Sequence, residues 1–233
     1  MLILGIDTAT RVCSVALLRG DNLLGELTVN IKKTHSGQLM PLVGRLLELC
    51  RVEREELEGI AVAAGPGSFT GIRIGVSTAR ALAQGLAIPA VGVSTLKALA
   101  GAVAGVGLLI CPLLDARRGE VYAALYRRPA KPPYRLEELV SPGAMELGEL
   151  LSRAAGYREP VTLLGEGLGT YRREIEGVLG ERALPVPLGL NRAALVAWRG
   201  RSELEGGLAS GYEELVPIYL RRPEAERKLR EGR

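Results

Sequence analysis

Two hydrophobic periods follow one another along the chain. Residues 3–7, 12–18 and 23–29 are short apolar-rich runs parted by turn residues, most clearly Arg19-Gly20-Asp21-Asn22, and they predict three strands. The spacing then lengthens. Leu39, Val43, Leu46, Leu47 and Cys50 fall on one stripe of a helix that Ser36 is placed to cap, with Pro41 tolerable only in its first turn. The continuous apolar run 59–64 reads as a buried strand. A helix over 71–86 follows, with Ser68 and Thr70 as candidate N-caps, then a strand at 90–93 and a helix from the Ser94 cap to about Ala104. Three antiparallel strands followed by alternating crossovers predict a mixed sheet with helices on its faces.

The second half repeats this opening. A strand at 108–114 leads into Asp115 as the first strand leads into Asp7, at an offset of 108, and Val15-Ala16-Leu17 then falls on Ala123-Ala124-Leu125 inside a strand at 120–126. A third strand at 134–140, a helix near 146–155, a strand at 161–164 and a helix after Gly169 complete the parallel. Pro185 and Pro187 mark a loop, Asn191 is placed to cap a helix through 205, 206–211 reads as a linker and 216–220 as a short strand. The expected organisation is α/β: two similar subdomains, 1–104 and 105–220, facing each other across a cleft, and a charged tail at 221–233.

The helix at 71–86 has few long polar side chains. Arg73, Arg80 and Gln84 lie on one side, and Gly71, Gly75, Ala79 and Ala83 recur every four residues as a small-residue stripe. Small side chains let another backbone approach closely. The pattern fits a helix buried within its own domain, and equally one packed on its own sheet on one side and on a second protein on the other.

Composition narrows the class. With 47% hydrophobic residues in 233, the chain has enough apolar surface for a sizeable core, and no apolar run approaches the roughly 20 residues of a membrane span. The opening residues read as a first strand rather than a signal peptide, and three widely spaced cysteines do not make a disulfide framework, so a cytoplasmic home is expected. Residues 221–233 hold six basic and three acidic side chains, hence +3 of the net +4. The body is nearly neutral, and with one Phe, one Trp and seven Tyr it does not advertise RNA binding on its own.

Candidate chemistry is sparse. Asp7 and Asp115 follow strands as the acids of two-lobed nucleotide-binding folds do. However, Thr8-Ala9-Thr10-Arg11 holds no glycine, and a phosphate cradle usually needs one to let backbone N–H groups converge. Asp7, Thr8 and Asp115 thus read either as a degenerate nucleotide site or as structural hairpin corners. Gly65-Pro66-Gly67-Ser68 before a helix is a weak anion signal. His35 is the only histidine, so a paired-histidine metal site is impossible, and neither a Walker loop nor a Gly-x-Ser-x-Gly elbow occurs. No catalytic set, metal site or cofactor is expected.

Ile6-Asp7-Thr8, Cys13-Ser14-Val15-Ala16-Leu17, His35-Ser36, the block from Ala64 to Gly75 (AGPGSFTGIRIG), Val91-Gly92-Val93-Ser94, Asp115-Ala116-Arg117-Arg118-Gly119-Glu120-Val121-Tyr122 and Tyr219-Leu220-Arg221 together resemble the bacterial TsaB (YeaZ) family over nearly the whole chain. The resemblance implies the duplicated actin/Hsp70/sugar-kinase (ASKHA) fold. It also implies a part in making N6-threonylcarbamoyladenosine beside the anticodon of tRNAs that read codons beginning with A. In that family the protein is a non-catalytic partner of TsaD, the metal-binding transferase, and of the ATPase TsaE. It pairs with TsaD, or with itself, through helices resembling 36–50 and 71–86, and meets tRNA only through the complex. Carried over, this places a partner or dimer interface at Leu39, Val43, Leu46, Leu47, Ile72, Gly75, Val76, Ala79, Arg80 and Ala83. The alternative is an ATP-binding ASKHA phosphotransferase using Asp7 and Asp115. A metallopeptidase, the activity older descriptions attach to such proteins, lacks its two histidines here.

Overall fold

The computed structural model describes residues 1–31, 34–131, 136–207 and 211–221. The same run of elements occurs twice. The first comprises β1 (Leu2–Asp7), β2 (Val12–Arg19), β3 (Asn22–Asn30), α1 (Leu39–Cys50), β4 (Gly59–Gly65), α2 (Phe69–Leu86), β5 (Ala90–Ser94) and α3 (Thr95–Gly101). The second comprises β6 (Leu109–Arg117), β7 (Glu120–Arg127), β8 (Glu137–Glu146), α4 (Leu147–Ala155), β9 (Val161–Leu164), α5 (Gly167–Leu179), β10 (Ala183–Pro185) and α6 (Ala193–Glu205). Each half makes a five-stranded sheet, ordered β3-β2-β1-β4-β5 and β8-β7-β6-β9-β10. In both, the first three strands pair antiparallel and the last two join parallel. This duplicated arrangement is the ASKHA fold.

β1, β2 and β4 are buried along nearly their whole length because both faces of the first sheet are covered. α1 and α2 lie on one face and α6 on the other. α6 therefore departs from the expected division. Although it belongs to the second half in sequence, it packs on the first sheet. Ala193, Ala197 and Gly200 form its inner edge: a Cβ at Gly5 would overlap the Ala193 carbonyl, and one at Gly200 would overlap Ala61. The first turn of α6 is fixed from the other half as well. The Ala193 N–H donates to Ser14 Oγ (3.0 Å) and the Ala194 N–H to Glu26 (3.0 Å), an acid well placed at a helix N-terminus. α3 does the reverse, packing Leu96 and Leu99, with Val103 just beyond its end, on Ile110, Leu114 and Tyr126 of the second sheet. The opposite face of that sheet, with Leu109, Cys111 and Leu113, takes α4 and α5. α3 and α6 touch at the centre.

Several boundaries differ from expectation. Ser36 sits in a single 3-10 turn and α1 starts at Leu39, with Pro41 in its first turn. Ser68 and Ser94 do cap α2 and α3, accepting from Gly71 N (3.3 Å) and Lys97 N (3.5 Å), but α3 ends at Gly101. β6 runs through Asp115 to Arg117, so this acid lies inside its strand. β8 begins at Glu137; 134 and 135 fall outside the described residues, as do 208–210 of the expected linker and 222–233 of the tail. Pro185 ends a three-residue strand. Asn191 does not cap α6, and 216–220 pairs with no strand.

Candidate functional site: the corners and the outer face of the helices

At the first corner the chain uses its polar atoms on itself. Asp7 is buried; its Oδ1 accepts the Ala9 N–H (2.9 Å) and its Oδ2 the Asn191 side-chain amide (3.1 Å). Burial disfavours its charge and outweighs both hydrogen bonds, lifting its pKa from 3.8 to about 6. Thr8, fully buried, donates from Oγ1 to the Gly71 carbonyl (2.8 Å), and Thr10 Oγ1 accepts the Val12 N–H (3.2 Å). The Ala9 carbonyl accepts the Ser68 N–H (2.6 Å) and the Thr10 carbonyl lies 2.8 Å from His35 Nε2. At the second corner Asp115, half-buried, accepts the Arg117 N–H (2.7 Å) and the Tyr171 hydroxyl (3.1 Å). Burial also raises the pKa of nearby Glu166, against the opposing pull of Arg11. The fold class implies a nucleotide between two such corners, but these residues do not fit one. The Ala9, Val12 and Arg117 amides are held by the chain's own side chains, and Asp7 and Thr8 are sealed from solvent. Among the described residues no cluster of His, Cys, Asp or Glu has metal-binding geometry.

The expected interface residues need correction. Leu39, Val43, Leu46, Ile72, Gly75, Val76, Ala79 and Ala83 are buried inside this chain, on the faces of α1 and α2 that cover the first sheet. The N-terminal half of the small-residue stripe of α2 is small because the hairpin corner lies beneath it: a Cβ at Gly71 would overlap the Thr8 carbonyl, and one at Gly75 would overlap Thr8 Oγ1. Leu47 is half-buried and Arg80 is exposed. The opposite side of the same two helices is open. A groove of about 450 Å³ runs between them, lined by Met40, Phe69, Arg73, Ile74, Ser77 and Thr78, among others. Met40 (46%) and Phe69 (41%) are among the exposed large apolar residues. At its mouth Phe69 stacks on Tyr219 (centroids 5.1 Å apart), and the Arg73 guanidinium lies 4.7 Å from the Phe69 ring centre. Sequence reasoning placed Arg73 on this outer side and missed Met40, Phe69, Ile74 and Tyr219. For Met40, Phe69 and Ile74 the signal was available: apolar residues among the polar positions of amphipathic helices.

Comparison with known proteins gives a TsaD-type family model and relatives named TsaB or YeaZ. The model for TsaD, tRNA N6-adenosine threonylcarbamoyltransferase, matches residues 23–152. The tRNA threonylcarbamoyladenosine biosynthesis protein TsaB of Bacillus subtilis is 38% identical, over 98% of this chain and 97% of its own length. Its namesake in Escherichia coli is 32% identical, over 98% of each chain. The solved structure of YeaZ from Pseudomonas aeruginosa superposes with a TM-score of 0.78 at 27% identity, covering 94% of this chain and 99% of its own.

Proposed function

The chain belongs to the TsaB family of tRNA threonylcarbamoyladenosine biosynthesis proteins, and from that footing we propose that it serves the modification as a non-catalytic scaffold, seating a TsaD-type transferase in the groove between α1 and α2. The observation that carries this reading is the outer face of those helices, where Met40, Phe69 and Ile74 line one open groove above a buried core. An exposed apolar patch rimmed by polar residues fits a protein contact. A stable contact would remove roughly 1,200 Å² or more from water. The corners support the non-catalytic part, since their polar atoms are spent on the fold. In this reading the protein works in the cytoplasm. It pairs with itself through the same face when TsaD is absent, is joined by a TsaE-type ATPase, and meets tRNA only within the assembly.

Met40→Glu and Ile74→Arg test the face. Each puts a charge into the groove at a position that is not fully buried, so thermal unfolding should stay near wild type. Affinity for the cognate TsaD measured by calorimetry should fall about 30-fold or more, the scale of a hot spot lost at an interface centre. Formation of the modified nucleoside by the reconstituted system should fall with it. Both variants binding like wild type would refute the docking face. Charges at Gly75 or Ala79 make poor tests, because both positions lie in the core and the protein would unfold first.

A further inference from the structure

The segment 215–221, which contains the stretch 216–220 expected to be a strand, makes four attachments in seven residues, and together they span the molecule. Leu215 is buried, with its side chain beside Gly92 of β5. The Ile218 N–H donates to the Ala64 carbonyl at the end of β4 (2.7 Å), and its own carbonyl lies so close to Gly65 that a Cβ there would overlap it. Tyr219 stacks on Phe69, the first residue of α2. Arg221 then reaches the other half, donating to the Ala116 carbonyl (3.1 Å) and pairing with the Glu120 carboxylate (2.9 Å). These last two contacts grip both sides of the β6–β7 turn. That turn has Arg117, Arg118 and Gly119 all at positive φ, and all three are exposed.

We infer that residues 215–221 form a strap coupling the docking face on α2 to the hairpin turn of the second half. Resting on the docking reading above, this makes the turn responsive to a partner it need not touch. The chain of contact is short and physical. A partner seated over the groove covers Phe69 and Tyr219, both about two-fifths exposed. Covering the stacked pair restrains the strap between its anchor on Ala64 and its anchor on Ala116 and Glu120. The restraint favours the state in which Arg221 holds the turn. Coupling of this kind is reciprocal: by whatever factor the partner steadies the turn, a steadied turn strengthens the partner's binding.

Amide exchange over 115–123 reads the turn directly, in the full chain alone and with excess cognate TsaD. Binding should slow exchange there about 5-fold or more, within the usual range of allosteric coupling. Arg221→Ala should still form the complex, by size-exclusion chromatography, but lose that slowing and bind more weakly by a similar factor. Tyr219→Ala should do the same from the other end of the strap. A wild-type complex without slowing at 115–123 overturns the coupling while leaving the docking face standing, as does Arg221→Ala slowed as much as wild type. If wild type forms no complex at all, the docking reading fails and the strap's coupling falls with it.

Discussion

After its first strand the N-terminal sheet turns through Thr8–Arg11; at the same place in the same topology the C-terminal sheet turns through Arg118–Gly119, with Asp115 just before it in β6. The first corner is closed by backbone. α2 lies directly on it, which requires glycine at 67 and 71, where a Cβ would overlap the Ala9 and Thr8 carbonyls. The second corner is closed by side chains, the Tyr171 hydroxyl from α5 and the Arg221 guanidinium, and its tip stays in solvent. α5 starts with glycines at 167 and 169, yet the space around Gly169, the third residue of its helix as Gly71 is of α2, is open. Duplication has thus kept the strand order while the two helix entries diverged. One half became a sealed platform that presents helices outward; the other kept an adjustable turn.

The sharpest way to break this contrast is to place the same methyl group in both helices. Gly71→Ala drives a Cβ into a backbone carbonyl that cannot rotate away, and should cost more than about 3 kcal/mol in urea unfolding, beyond the usual range for overpacking. Gly169→Ala, at the matching position with free space, should gain about 0.5–1 kcal/mol from helix propensity alone. Equal costs for the two would mean that the corners are built alike.

Next in size is the pH dependence that the buried corner imposes. Asp7 has its pKa raised from 3.8 to about 6 by burial. The folded state therefore holds this proton more tightly than the unfolded chain does. The stability so gained is complete below about pH 4 and is lost as pH rises through about 6, amounting to about 3 kcal/mol. Asp7→Asn, neutral throughout, should flatten the stability profile between pH 4 and 7 relative to wild type and should be the more stable protein at pH 7.5. A wild-type slope that survives the substitution would place the responsible proton elsewhere.

What sequence could and could not reveal follows the same division. β1 to β9 and the Ser68 and Ser94 caps were legible because period, turn chemistry and capping are local, whereas β10 was read as a loop. The small stripe Gly71, Gly75, Ala79, Ala83 was legible as a demand for close approach, but not as to what approaches: the hairpin corner that fills it lies some sixty residues earlier in the chain. The exchange of α3 and α6 between the sheets was hidden for a similar reason. Ala193, Ala197 and Gly200 signal tight packing, while the partners that fix the choice, Gly5, Ser14, Glu26 and Ala61, are identified only once the first sheet exists. The apolar run in 216–220 imitates a strand, yet its described backbone pairing is a single hydrogen bond to Ala64 rather than a ladder. The TsaB-like motifs, carried over residue by residue, led to positions of α1 and α2 that, Leu47 and Arg80 apart, lie on the buried sides of those helices.

The smallest expected effect tests the second corner by itself. Tyr171 is 8% exposed, so Tyr171→Phe keeps the packed ring and deletes only the hydroxyl that reaches Asp115. Asp115 keeps the Arg117 N–H, leaving the turn with one tie fewer rather than an orphaned carboxylate. The cost should be about 1 kcal/mol, the net worth of an ordinary hydrogen bond, seen as a Tm lower by about 2–4 °C. Amide exchange should quicken over the β6–β7 turn and not over 7–11, because the first corner has no contact with this hydroxyl. Exchange that quickens at both corners would show them mechanically joined without the strap. A loss well above 1 kcal/mol would show that the second corner, too, is a sealed element whose side-chain ties are part of the core.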